Sequence, residues 1–283
     1  MSGGTSVALP AADLLGEGPW WDDATQELVR VDIKARAVRR WNPATGARSE
    51  VVLPAEVSMA LPRVRGGLVV GQVDRVCLLD PDGELRELAT VEADDPETRL
   101  NDATCDDDGR LWVGTYSPRW RPDAGLHVVE PDGNTRQVLG GLIASNGVAW
   151  HGDVLYAVDS GRAVVARFRR GPDASLERQP PLVQMDPDTE LPDGIAVDAD
   201  GAVWVAVLKA SEVRRYLPDG RLDRTVPMPV TNPTSLAFGG PGLRTLYVTS
   251  SSYSLPEGHD EPAGSVLALD PGVAGRPVRR FAG

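Results

Sequence analysis

The sequence predicts an all-β fold, a six-bladed β-propeller with four antiparallel strands per blade, and three observations carry that prediction. First, a short apolar run recurs six times: Leu28-Val29-Arg30-Val31, Leu68-Val69-Val70-Gly71, Leu111-Trp112-Val113-Gly114, Leu155-Tyr156-Ala157-Val158, Val203-Trp204-Val205-Ala206 and Leu246-Tyr247-Val248-Thr249. The steps between their first residues are 40, 43, 44, 48 and 43. A period of that size with one strand pattern per unit belongs to a propeller blade. Second, a polar lead-in segment lies about 9 to 12 residues ahead of each run. Third, no long window shows helical periodicity, and glycine and proline (30 and 24) fall between the strand patterns as turn punctuation.

The remaining elements follow in order along each unit. A later strand pattern ends at a turn: Val76-Cys77-Leu78-Leu79 before Asp80-Pro81-Asp82-Gly83, Leu126-His127-Val128-Val129 before Glu130-Pro131-Asp132-Gly133, and Val213-Arg214-Arg215-Tyr216 before Pro218-Asp219-Gly220. Proline presets φ and Asp-Gly supplies a positive φ, so Pro-Asp-Gly between strands is a hairpin. The other units carry the variants Asn42-Pro43-Ala44-Thr45-Gly46, Gly171-Pro172-Asp173 and Asp270-Pro271-Gly272. The repeat runs nearly end to end, so residues 1–283 read as a single domain. A ring must also close. Ser6-Val7-Ala8-Leu9 has no partner in its own blade and is expected to be an outer strand of the last blade, beside Val278-Arg279-Arg280-Phe281.

Composition excludes several function classes. A formal net charge of −12 disfavours a phosphate backbone, so no nucleic-acid partner is expected. No apolar stretch approaches a membrane span, and the N-terminus lacks a signal peptide's basic and apolar regions. The expectation is a cytoplasmic protein, a monomer or weak oligomer. Cys77 and Cys105 make no disulfide framework and read as small core residues. Trp20, Trp21, Trp112 and Trp204 read as packing between blades. His127, His151 and His259 are scattered, with no zinc-type spacing.

The lead-in segments carry the chemistry. In order they contain Glu17, Ser58-Met59, Asn101-Asp102, Asn146, Asp193 and Thr234-Ser235. Equivalent positions of a propeller converge on one mouth of its channel. Glu17, Asn146 and Asp193 are hard oxygen donors in tight contexts: Gly16-Glu17-Gly18-Pro19, Ser145-Asn146-Gly147 and Pro192-Asp193-Gly194. Two carboxylates meeting at one point repel unless a cation or proton intervenes. Oxygen-only donors suit calcium, magnesium or manganese. Arg99 and Asn101 add a guanidinium and an amide at the same mouth, suited to gripping substrate oxygens.

At these residues the chain resembles the senescence marker protein / gluconolactonase / luciferin-regenerating enzyme (regucalcin-like) family. The likeness runs from Leu15-Gly16-Glu17-Gly18-Pro19-Trp20 through Arg99-Leu100-Asn101-Asp102, Asp108-Gly109-Arg110-Leu111-Trp112-Val113-Gly114-Thr115, Ser145-Asn146-Gly147-Val148-Ala149-Trp150 and Leu191-Pro192-Asp193-Gly194 to Ala237-Phe238-Gly239-Gly240 and Leu246-Tyr247-Val248-Thr249-Ser250. The resemblance implies one axial divalent cation, calcium foremost with manganese, magnesium or zinc as alternatives. It implies Glu17, Asn146 and Asp193 as its ligands, Arg99 and Asn101 as substrate-binding residues, and Asp193 as catalytic base.

The expected function is therefore a metal-dependent hydrolase opening a lactone or related ester. The alternatives are phosphotriester hydrolysis, rearrangement of a natural product, or a non-catalytic calcium-binding scaffold. Three departures from the family pattern bear on substrate. The loop Tyr116-Ser117-Pro118-Arg119-Trp120-Arg121-Pro122-Asp123 lacks the glutamate of sugar-lactone members. Leu208-Lys209-Ala210-Ser211 replaces a Gly-Gly pair, and the second lead-in offers Met59. A larger or acidic lactone suits such a loop better than a polyhydroxy one.

Overall fold

In a computed structural model, which describes residues 4–95, 97–253, 255–256 and 262–283, the chain forms six four-stranded antiparallel sheets. Short 3-10 turns are the helical elements among the described residues. The lead-in segments are themselves strands and are innermost in their blades: Gly16–Asp22, Val57–Pro62, Arg99–Cys105, Ser145–His151, Leu191–Val197 and Pro233–Gly239. Each packs against the inner strand of the next blade, which closes a six-bladed ring. The six apolar runs form the second strands. They are buried on both faces because a neighbouring sheet covers each side; Leu111, Trp112 and Val113 expose nothing. An aspartate fixes the turn before two of them. Asp106 accepts from the Trp112 indole (2.9 Å) and the Arg110 backbone N–H (3.0 Å), and Asp198 repeats this with Trp204 and Ala202 at the same distances. Trp20, Trp21, Cys77 and Cys105 are also buried, and the cysteines are free thiols.

The N-terminal strand Ser6–Leu9 does close the ring, but its partner differs from the expectation. It pairs antiparallel with Val266–Leu269, with Ser6 opposite Ala268 and Leu9 opposite Val266. The chain then leaves the blade, so Asp270-Pro271-Gly272 is no hairpin and Val278–Phe281 lies beside no strand of that blade. Instead the tail crosses the channel mouth opposite the lead-in ends. Gly275 donates to the Leu243 carbonyl (2.8 Å), Phe281 to Pro62 (2.9 Å) and Ala282 to Gly109 (2.9 Å). Phe281 is fully buried there against blades 1 to 3. Once the N-terminal strand occupies the free edge, the tail's apolar residues find burial only across the ring. His259 falls outside the described residues.

Candidate active site

All six inner strands break register at the same level. The shifts fall between Glu17 and Trp20, Val57 and Met59, Leu100 and Ala103, Ser145 and Val148, Pro192 and Ile195, and Pro233 and Leu236. The chemical residues of the lead-ins sit in or at the edge of these bulges. A bulge inserts an extra residue and re-aims side chains. Here six bulges turn one layer of polar side chains toward the axis. Gly18 permits the first with φ of +49°, a left-handed value. Gly147 is needed for proximity: a Cβ there would lie 2.6 Å from the Asp193 carbonyl oxygen and the Ile195 nitrogen.

Glu17 and Asp193 come together as expected, and Asp102 joins them from the third bulge. Burial, then the charge of Asp102, push Glu17 up to about 8, with the Gly18 N–H and Arg99 acting against the rise. Burial likewise raises Asp102 to about 6 against the Ala103 N–H. Asp193 is raised by burial first and then by Glu17 and Asp102, with Asn146 offsetting part. It is 6% exposed, and its Oδ1 is buried with no hydrogen-bond partner. A buried carboxylate oxygen left this way calls for a proton, a water or a cation.

A directed chain of hydrogen bonds fixes the amides. Arg99 Nη1 donates to Asn101 Oδ1 (3.1 Å) and Asn101 Nδ2 donates to Asn146 Oδ1 (2.9 Å). Asn146 Nδ2 donates to Ser160 Oγ (3.0 Å), and Ser160 Oγ donates to the Pro192 carbonyl (2.6 Å). The last acceptor adjoins Asp193, so the network ties blades 3, 4 and 5 together. Arg99 also lies over the Tyr116 ring, 4.8 Å from its centroid.

Sequence reasoning named Asp102 without a role and missed Ser160. Asp102 was adjacent to Asn101, but strict strand alternation sends neighbours to opposite faces, and only the bulge brings both into use. Ser160 lies beyond the inner strand and carries no motif. Lys209 is on the rim, exposed, with Nζ 3.1 Å from the Pro187 carbonyl. A cavity of about 410 Å³ occupies the axis below the carboxylate layer, from Asp102, Met59 and Ser235 down to Arg276 and Arg279 of the tail. Glu17, Arg99, Asn146 and Asp193 do not line it. The Arg99 guanidinium and the amides of Asn101 and Asn146 lie outside this cavity, on the lead-in side of the ring.

Residues 15–252 match the SMP-30/Gluconolactonase/LRE-like region. The chain belongs to that family. It is 34% identical to 6-deoxy-6-sulfogluconolactonase of Pseudomonas putida, covering 95% of this chain and 96% of the relative. It is 30% identical to regucalcin of Oryctolagus cuniculus over 97% of each. Among solved structures, luciferin-regenerating enzyme superposes with a TM-score of 0.89 at 27% identity, covering 96% of both chains. The layer of bulged residues sits at one end of the ring, with the side-chain oxygens of Glu17, Asp102, Asn146 and Asp193 in it.

Proposed function

We propose that this protein opens a lactone ring by water attack, with Glu17, Asn146 and Asp193 holding one divalent cation, calcium foremost. The observation that carries the reading is the buried, unpartnered Asp193 Oδ1 beside the half-buried carboxyls of Glu17 and Asp102, whose charges raise it. No three His, Cys, Asp or Glu side chains among the described residues form a ready metal cluster, so the donor set depends on the amide oxygen of Asn146. That oxygen has a second lone pair beyond its bond from Asn101. The donors are therefore all oxygen, as a hard cation requires. A bound cation would offset the carboxylate repulsion, keep Asp193 ionised and polarise the lactone carbonyl.

The protein's own groups supply the rest. Asp193 takes the proton of the attacking water at a carboxylate oxygen. Arg99 and Asn101 orient the substrate beside it. Burial of the layer strengthens each polar interaction made there. Two relatives carry lactonase or calcium-binding names, 6-deoxy-6-sulfogluconolactonase and a calcium-binding regucalcin from Agrobacterium tumefaciens. The first supports catalysis and the second leaves a non-catalytic cation-binding role as the rival.

Purified protein with calcium, manganese, magnesium or zinc, assayed by proton release on a lactone panel, decides between them. Asp193→Asn keeps an oxygen donor and loses the base, so turnover should fall on the order of 10²-fold or more, while calorimetry still detects cation binding. Wild-type turnover no higher than that of Asp193→Asn across the panel would leave the cation-binding role alone.

A further inference from the structure

Resting on the lactonase reading, we propose that Tyr116 and Trp120 form an aromatic arm that selects lactones bearing an apolar alkyl or aryl substituent. Arg99 opposes Tyr116 in the register of blade 3, at the mouth end of the sheet. The Trp120 ring meets Tyr116 edge-on at 6.1 Å and 70°. A continuous line therefore runs from the rim through Trp120, Tyr116, Arg99 and Asn101 to Asn146. Its outer end is open: Trp120 is 47% exposed.

Trp120 is also held in an unfavourable backbone conformation, with φ of +56°. Left-handed geometry in a bulky residue persists only where its surroundings over-determine it, and such strain concentrates at ligand sites. Here the Trp120 N–H donates to the Ser117 carbonyl (2.9 Å) and the N–H of fully buried Ser117 donates to the Ile143 carbonyl (3.1 Å). Arg119 forms an ion pair with Glu97, which pins the loop to the preceding one.

That ion pair bears on the two substrate classes expected of this loop. Arg119 pairs with Glu97 at the surface, and Asp123 follows Arg121 by two residues, so the formal charges around the loop sum to zero. An acidic lactone gains no net attraction from them. The loop also offers no glutamate to read sugar hydroxyls. What it presents is an indole, and an indole stacks on an apolar substituent. Such a contact forms in the ground and transition states alike, so its loss should raise KM and spare kcat.

The test compares wild type, Trp120→Ala and Trp120→Phe on three δ-lactones: unsubstituted, phenyl-substituted and carboxylate-substituted. Expected for Trp120→Ala is a KM at least tenfold higher on the phenyl lactone, kcat within twofold, and a loss of kcat/KM on the unsubstituted ring at least fivefold smaller than on the phenyl lactone; Trp120→Phe should keep most of the affinity. Equal losses on all three, no loss, or a wild-type preference for the carboxylate-substituted or a polyhydroxy lactone would overturn the arm. Calorimetric binding of the phenyl-substituted and unsubstituted δ-lactams, which resist hydrolysis, separates this from failure of the lactonase reading. Should no lactone turn over, the phenyl lactam must still bind wild type at least tenfold more tightly than Trp120→Ala, and equal affinities would refute the arm by themselves.

Discussion

Stripped of divalent cations, the protein should lose stability as pH rises from 6.5 to 8. Glu17 is lifted to about 8 in the folded chain, first by burial and then by Asp102. Asp193 is raised by burial, Glu17 and Asp102. Unfolded carboxyls titrate near 4. Between those values the folded protein holds protons that the unfolded chain has released, so the slope of unfolding free energy against pH is negative. The contribution is complete below the unfolded pKa and is lost as pH rises through the folded one. Buried His127, lowered to about 4 by desolvation, acts in the opposite sense below its unfolded pKa, as does His151. The clean window for the carboxylates therefore begins near pH 6.5. At about 1.4 kcal/mol per pH unit for one proton, Glu17 alone gives a loss of about 2 kcal/mol by pH 8, and the raised Asp193 acts in the same direction.

Urea unfolding in chelator at pH 6.5, 7.2 and 8.0 measures this. A saturating cation should abolish the loss, because it favours the ionised carboxylates, and should stabilise more at pH 8.0 than at pH 6.5. At a hundredfold excess over Kd the gain is about 2.7 kcal/mol. The double variant Glu17→Gln, Asp193→Asn should show a flatter chelated profile. A wild-type curve that is flat or rises across the window, or a cation gain no larger at pH 8.0, would refute the clustering of these carboxyls.

Two further outcomes concern the ends of the chain. Phe281→Ala removes a fully buried ring from the tail that crosses the far mouth; a cost of about 3–5 kcal/mol should lower Tm by about 5–8 °C for a chain of this size, while lactone KM stays unchanged, and a shift below 1 °C would mean the tail is not docked. Deleting residues 2–10 removes the strand opposite Val266–Leu269 together with buried Leu9 and should destabilise the protein by at least the 2–5 kcal/mol of a large-to-small core change, read by urea unfolding; unchanged midpoint and solubility would contradict the closure.

Repeat spacing made the blades legible because each blade is a local unit whose strands are neighbours in sequence. Glu17, Asn146 and Asp193 were legible for the same reason, since equivalent positions of a closed ring must converge. Three features were not. The lead-ins looked like polar approaches to strands, and only their pairing showed them to be the inner strands. Asp102 was named beside Asn101 but carried no role, because a bulge depends on pairing register rather than residue type. Val278–Phe281 has the apolar ends of a strand, but whether an edge remained for it depended on the other end of the chain.

The amino-acid sequence by itself determined the all-β character, the blade count and the residue types that meet at the axis, because periodicity and turn chemistry are local and symmetry multiplies them. Tertiary structure decided which carboxyls share one desolvated layer, which amides are locked by Arg99 and Ser160, and which chain end covers which mouth. Those outcomes follow from competition among distant segments for the same burial and the same hydrogen bonds, and that competition is settled only when the ring closes.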